Sequence, residues 1–138
     1  KVKLLGDIPA LWQAVLTEPH FQGASIAIAS ACSEPSWAHQ LLSHFEIDGK
    51  KMRDCIAHTE IHSGSKQGHL AEIATKLGIG LGDLVFFDDR AMHCSDVLDL
   101  NIISVEVPQG GVTHAAFNMA LKAFAKKQWL YRQARNAR

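Results

Sequence analysis

The chain has 138 residues, 47% hydrophobic and 20% charged, which is the balance of an ordinary globular domain able to bury a core. Its apolar runs are far shorter than the roughly 20 residues of a membrane span, so we expect neither a span nor a secretory leader. Fourteen basic and fourteen acidic side chains cancel, which argues against a protein that coats nucleic acid.

The charges are unevenly distributed along the chain. Five positive charges and no acid lie between Lys126 and Arg138, which leaves nine positive and fourteen negative charges elsewhere. Trp129 and Tyr131 lie within this basic segment. We expect residues 128–138 to form a tail or helix extension that docks onto a protein partner. A solvated helix end is the alternative, and RNA binding ranks last.

Three scattered cysteines argue against a disulfide framework. Cys32, Cys55 and Cys94 are odd in number and form no Cys-x-x-Cys pair, so we expect a soluble protein of a reducing compartment, the cytoplasm or an organelle matrix or stroma. No Cys/His spacing fits a zinc site. Because the first residue is Lys1 rather than methionine, we also expect a processed, trimmed or fragmentary polypeptide.

Helices and strands are predicted to alternate along the chain. Apolar residues recur at helical spacing over residues 8–16, 37–45, 70–77 and 117–124, and the last of these helices may be extended through residue 135. Short apolar strands are predicted over residues 25–30, 55–58, 84–87 and 102–107. This order predicts an α/β fold, a doubly wound and mainly parallel sheet with helices on both faces.

Polar residues follow the predicted strands at the carboxyl ends, where such sheets bind ligands. Asp88 and Asp89 end one strand and offer hard oxygen ligands for Mg²⁺, with a β-turn as the alternative. Ser30 ends another strand and has a hydroxyl for a phosphoryl oxygen, or it caps a helix. Lys66 opens a helix, where it would attract an anion or remain a solvated surface lysine.

Taken in order, Ser30, Gly64-Ser65-Lys66 and Asp88-Asp89 resemble the second, third and fourth motifs of the haloacid dehalogenase-like (HAD-like) superfamily. The likeness is nearest to its small magnesium-dependent phosphatases and covers residues 8–127. It implies a domain over residues 1–127 and phosphomonoester hydrolysis through an aspartyl-phosphate. By this resemblance Ser30 binds the phosphoryl group, Lys66 neutralises its charge, and Asp88 and Asp89 hold Mg²⁺.

The resemblance fails at the first motif of the superfamily. Asp-x-Asp-x-Thr, which would supply the nucleophile, the general acid/base and a metal ligand, is absent from the sequence. Asp7 instead matches the loop before the first helix. Arg90 and His93 also depart from the usual residues after the aspartate pair, and we expect Arg90 to pair with the carboxylates.

The missing motif removes a strand as well as a nucleophile. In this superfamily the first strand lies at the centre of the sheet, between the second and fourth, so the strands over residues 25–30 and 84–87 are each expected to expose an unpaired edge. A preceding segment, another chain or direct pairing of the two edges would satisfy these edges.

Two functions remain open from the sequence. The first is a Mg²⁺-dependent phosphatase that acts on a phosphorylated substrate once complete but is inactive as the present chain. The second is a non-catalytic HAD-like subunit of a larger assembly, which binds a protein partner through the open sheet edge or the basic tail.

Overall fold

Helices and short strands alternate along the chain in the computed structural model, which describes residues 3–137. The five helices in this part of the chain are α1 Ile8–Thr17, α2 Pro35–His44, α3 Lys66–Leu77, α4 Ala91–Asp96 and α5 His114–Asn136. Its six strands are β1 Ala27–Ser30, β2 Glu46–Ile47, β3 Lys50–Lys51, β4 His58–Ile61, β5 Val85–Asp88 and β6 Ile103–Glu106. The mixed α/β class predicted from the sequence is confirmed.

One predicted strand is misplaced, and one confirmed helix buries only part of its apolar stripe. The strand expected over residues 55–58 lies at His58–Ile61 and is largely polar. The apolar residues Cys55 and Ile56 precede it and pack against a buried cluster around Trp12. In α2 the predicted apolar stripe is only half used: Trp37 is 66% exposed. Helical spacing therefore located α2 but not its buried side, because a helix at the edge of a domain buries only the residues that face a neighbour.

The strands form three separate pairs. β1 pairs with β4 and β5 with β6, both in parallel, whereas β2 and β3 form a small antiparallel hairpin. Asp48 and Gly49 turn this hairpin with φ of 51° and 78°, as an Asp-Gly turn between strands requires. The two parallel pairs are joined by helical crossovers, as the doubly wound prediction requires.

Both faces of the parallel pairs are covered by helices. On one face Ile73 of α3 and Phe86 of β5 lie in a buried cluster with Val97 and Ile102, and Ala27 and Ala29 of β1 pack against the same cluster. On the other face two further clusters, around Trp12 and around Ala120 of α5, cover β1 and β5 respectively. Their buried members are Trp12, Ile47 and Met52 in one and Val105, Val107, Ala116 and Ala120 in the other.

β1 and β5 share a core cluster but form no ladder with each other in the described residues. Amides of the 57–62 segment donate to the carbonyls of Ile26 and Ser30, so the alternate residue Ala29 points its backbone groups away from β4. Likewise Asp88 accepts from Val107, so Phe87 points away from β6. The expected unpaired edges are present, and direct pairing of the two edges is not observed.

α5 continues without a break through the boundary expected between residues 127 and 128. Residues 128–136 are thus a helix extension, whereas Arg138 of the predicted basic segment lies outside the described residues, as do Lys1 and Val2. Lys127 and Tyr131 turn towards the domain and bond with Asn101, while Trp129 is 53% exposed. Docking of a partner on this extension stays a prediction. No helix among residues 3–137 is long and apolar enough to cross a membrane.

The first turn of α5 is held by a residue from the opposite end of the sequence. Asp7 Oδ2 accepts a hydrogen bond from the backbone N–H of His114 at 2.9 Å, and Thr113 Oγ1 accepts from Ala116 N at 3.1 Å. Asp7 N also donates to the carbonyl of Val112 at 2.8 Å. Two of the free amides of this helix are therefore satisfied, one by its own N-cap and one by Asp7.

We predict that Asp7→Ala lowers the free energy of unfolding by about 1 kcal/mol, as does Thr113→Ala, because each change leaves one amide of the helix end without its acceptor. Urea unfolding followed by circular dichroism measures the loss. Asp54→Ala is the matched control, since this exposed carboxylate only pairs loosely with Arg53 at 3.7 Å. Equal urea midpoints for Asp7→Ala and Asp54→Ala would show that the Asp7–His114 hydrogen bond does not stabilise the helix end.

Candidate active site at the strand ends

Lys66 is placed by the way α3 begins. Ser65 is the N-cap, and its hydroxyl accepts from Gly68 N at 3.0 Å, which fixes Lys66 as the first helical residue. The side chain is only 5% exposed and lies over the ring of Phe86, 5.6 Å from its centroid. The alternative of a solvated surface lysine is therefore wrong.

The ammonium group of Lys66 connects the two parallel strand pairs. Nζ donates to the carbonyl oxygen of Ala29 at 2.6 Å and lies 3.2 Å from Asp88 Oδ2. The first contact is on the unpaired edge of β1 and the second is at the carboxyl end of β5. One buried cation thus occupies the place where the two sheet edges approach each other.

Asp88 is the most heavily bonded side chain of the site. Oδ1 accepts from Arg90 N at 2.8 Å, and Oδ2 accepts from His93 Nδ1 at 3.1 Å in addition to facing Lys66. Burial acts to raise the pKa of this carboxyl, but the Arg90 amide, Lys66 and His93 together outweigh it and hold the pKa below its usual value. Asp88 is therefore ionised at neutral pH.

The four residues predicted for the site do not all participate equally. Lys66 and Asp88 are in contact, and Ser30 follows directly on Ala29, whose carbonyl Lys66 binds. The Ser30 hydroxyl and the Asp89 carboxylate make no hydrogen bond or ion pair with residues 3–137. Asp89 is exposed. The catalytic and metal-binding roles of all four remain predictions.

The expected pairing of the Arg90 side chain with the carboxylates is wrong. Arg90 contributes its backbone N–H to Asp88, and its side chain is exposed. His93 provides the side-chain partner instead, from the first turn of α4. His93 lies five residues after Asp88, and the turn between β5 and α4 brings the two side chains together. The sequence spacing alone does not predict this contact, because it depends on the geometry of the turn.

The site has part of the chemistry that Mg²⁺ requires. Two adjacent carboxylates at a strand end are suitable oxygen ligands, since Mg²⁺ completes its shell with water and phosphate oxygens. Within residues 3–137, however, no group of three or more His, Cys, Asp or Glu side chains is arranged to hold a metal. Lys66 and His93 also occupy Asp88 Oδ2. Asp88 and Asp89 therefore fit as two ligands of a set that needs a further acid.

We predict that Lys66→Met lowers the free energy of unfolding by about 3 to 5 kcal/mol at neutral pH, because it leaves a buried carboxylate without its main cation. The pKa of Asp88 is depressed in the folded state, so the stabilisation is present above the ordinary value of 3.8 and is lost as the pH falls through the folded value. The cost of Lys66→Met should therefore diminish in acid.

Urea unfolding at several pH values measures this difference. Lys76→Met is the control on the same helix, because Lys76 is exposed and lies 3.9 Å from Glu72, a pair worth less than about 1 kcal/mol. If Lys66→Met and Lys76→Met unfold at the same denaturant concentration across the pH range, the ion pair does not support the site.

Comparison with known proteins shows the family of the chain. The family model described as Acid Phosphatase matches residues 1–127. Human magnesium-dependent phosphatase 1 is 32% identical over 127 residues, which cover 92% of this chain and 66% of the human protein. A HAD-like hydrolase superfamily protein of Schizosaccharomyces pombe is 31% identical over 83 residues, or 57% of this chain and 48% of the yeast protein. The chain spans just under two thirds of the length of the human relative. It belongs to the acid phosphatase family of HAD-like proteins.

Proposed function

We propose that this chain forms the phosphate-binding and metal-binding part of a Mg²⁺-dependent phosphatase that hydrolyses phosphomonoesters. The observation that carries the proposal is the Lys66–Asp88 ion pair, which is buried at the carboxyl ends of two parallel strands. Membership of the acid phosphatase family and the magnesium dependence in the name of the human relative support the same chemistry. The phosphorylated substrate would enter at this edge.

The residues of the chain would stabilise charge rather than supply the nucleophile. Lys66 would neutralise a phosphoryl oxygen, and the Ser30 hydroxyl would donate a hydrogen bond to it. Asp88 and Asp89 would hold Mg²⁺, which when bound neutralises further charge on the phosphoryl group. Asp-x-Asp-x-Thr does not occur in residues 1–138, so the attacking carboxylate would have to come from additional polypeptide. The present chain alone is therefore expected to be inactive.

We predict that residues 1–138 do not hydrolyse p-nitrophenyl phosphate, whereas the natural polypeptide that contains them does so only with Mg²⁺. In that polypeptide Lys66→Met should lower kcat/KM by about 10²- to 10³-fold, the usual cost of losing one charge-stabilising donor. Lys76→Met should leave it unchanged, because Lys76 is exposed and remote from the strand ends. Turnover that survives Lys66→Met within about twofold would contradict the assignment.

A second function is favoured by the free strand edges. Ala29 on β1 and Phe87 on β5 direct backbone groups towards a region that no other strand occupies in the described residues, where Lys66 already donates to the Ala29 carbonyl and would have to give way to an added strand. An extended segment of another protein can add to such edges through main-chain hydrogen bonds. If the natural polypeptide has no phosphatase activity, the protein would serve as a non-catalytic subunit that accepts a strand from its partner.

Strand addition can be tested with a synthetic peptide that has an apolar, β-branched run followed by Asp-x-Asp-x-Thr. We predict that the peptide raises the Tm of residues 1–138, by the equivalent of about 2.7 kcal/mol at a concentration of about 100 Kd. A control peptide with proline at alternate positions lacks the N–H groups for pairing and should leave the Tm unchanged. Equal shifts with both peptides would exclude pairing at the edges.

A further inference from the structure

Three alternating residues of β4 and the loop after it form a hydrogen-bonded row. His58 Nε2 lies 2.7 Å from Glu60 Oε2, and His62 Nε2 lies 3.1 Å from Glu60 Oε1. Because side chains alternate along a strand, the three side chains project from the same face. Glu60 is thus held between two imidazoles, which lie on either side of its carboxylate.

The row continues from β4 to α3 through a pair of histidines. His62 Nδ1 lies 2.8 Å from the carbonyl oxygen of Ser63 and 3.4 Å from Nε2 of His69. The two rings meet edge to face, with centroids 4.4 Å apart. His69 is 1% exposed, and its Nδ1 has no hydrogen-bond partner among the described residues.

These contacts determine where the protons lie. The Ser63 carbonyl and the Glu60 carboxylate can only accept, so His62 satisfies both when each of its ring nitrogens carries a proton. His69 Nε2 faces the same Nδ1–H and accepts from it when it is unprotonated, which puts the proton of neutral His69 on Nδ1, a buried atom with no acceptor among the described residues. The pair therefore consists of one imidazolium and one imidazole.

The electrostatics of the pair agree with this assignment. The Ser63 carbonyl, followed by Glu60, raises the pKa of His62 above its ordinary value. Burial lowers the pKa of His69, and His62 and Lys66 lower it further. The hydrogen bond from His62 lowers the pKa of Glu60 despite partial burial, with a smaller contribution from His58. The register partner of Glu60 on β1 is Ala29, which brings no charge.

The pair encloses the loop that leads to Lys66. His69 lies one helical turn after Ser65, and its backbone N–H donates to the Ser65 carbonyl at 3.0 Å. Gly64 has a φ of +141°, and a side chain there would begin 3.5 Å from His69 Nε2, so the loop backbone passes close to the ring. Both rings therefore lie against the loop that leads to Lys66.

We propose that His62 and His69, anchored by Glu60, are positioning residues that bind a single shared proton and thereby fix the loop that places Lys66. The proposal rests on the proposed function only for the role of Lys66 in binding phosphate. The loop is braced when His62 is charged and His69 is neutral. Loss of the proton from His62 removes the donor to Glu60, and a second proton on His69 puts two like charges beside each other.

The His62–His69 pair is expected to hold the loop only within a defined pH range. The folded pKa of His62 is raised, so its contribution is complete below the ordinary value of 6.5 and is lost as the pH rises through the folded value. The folded pKa of His69 is lowered, so its contribution is complete above 6.5 and is lost as the pH falls through the folded value. The loop should be best ordered near the ordinary histidine pKa and less ordered on both sides.

Nitrogen-detected NMR of the imidazoles in residues 1–138, between about pH 5 and pH 9, tests the proposal. We expect His62 to carry two ring protons and to titrate above 6.5, and His69 to carry its proton on Nδ1 and to titrate below 6.5. The backbone amide signals of residues 63–66 should follow both transitions. Amides that stay fixed while the imidazoles titrate would overturn the proposal.

Three variants separate positioning from simple packing. Glu60→Gln should reduce the upward shift of the His62 pKa without removing it, because the Ser63 carbonyl, the larger contributor, is retained. His69→Gln keeps an acceptor towards His62 but does not titrate, so the acid transition should vanish and the alkaline one remain, whereas His69→Leu should disturb both. If the His69 variants do not fold, the His62 titration in Glu60→Gln and in the unmodified chain tests the proposal.

His39→Asn, at a histidine on α2 outside the row, is the control and should leave every transition in place. Similar titrations for His69→Gln and His69→Leu, or an unchanged His62 in Glu60→Gln, would also overturn the proposal. None of these measurements requires Mg²⁺ or turnover, so the proposed phosphatase function can fail while the brace is confirmed, and the reverse.

Discussion

The arrangement of this chain depends on the contacts of the Lys66 ammonium group. It bonds to a backbone carbonyl on one parallel strand pair and to a buried carboxylate at the end of the other, in a place where no strand of residues 3–137 joins the two. A buried lysine is tolerated only if its charge is compensated, and Asp88 provides that compensation. The same contact that joins the two halves of the core thus places a cation and an anion at the end of the sheet.

The charge at this end of the sheet is balanced through several partners rather than one. Asp88 is held by a lysine, a histidine and a backbone amide, and Glu60 on β4, in the other parallel pair, is held by two histidines. Each carboxylate has more than one donor, so each remains ionised in a partly buried place. Histidine is a suitable partner there, since it can be charged or neutral near neutral pH at little cost.

Much of the fold could be predicted from the sequence because its signals are local. Ser65 as a helix cap, Gly78 in the left-handed conformation after α3, and the aspartate pair after an apolar strand each report on a few neighbouring residues. The order of the motifs then predicted the superfamily. The four site residues follow predicted strands or open a predicted helix, and the structure brings two of them, Lys66 and Asp88, into contact.

What the sequence could not provide depends on contacts between distant residues. His93 was noted as a departure but not as a partner of Asp88, and the burial of Lys66 depends on Ala29, 37 residues away. The row of His58, Glu60 and His62 has a period of two, which indicates a strand, whereas apolar character predicts the strand over residues 55–58. Period and polarity pointed to different segments there, and period was the better guide.

The bond between Asp7 and His114 has a consequence for the order in which the chain folds. It joins residues 107 apart, whereas the helix and strand contacts of the core are mostly between neighbouring segments. Closing so long a loop costs entropy that the two hydrogen bonds of Asp7 do not repay by themselves, so this contact should form late, after the core. During synthesis from the N-terminus, Asp7 must wait for His114 to leave the ribosome. The first turn of α5 would be completed only then.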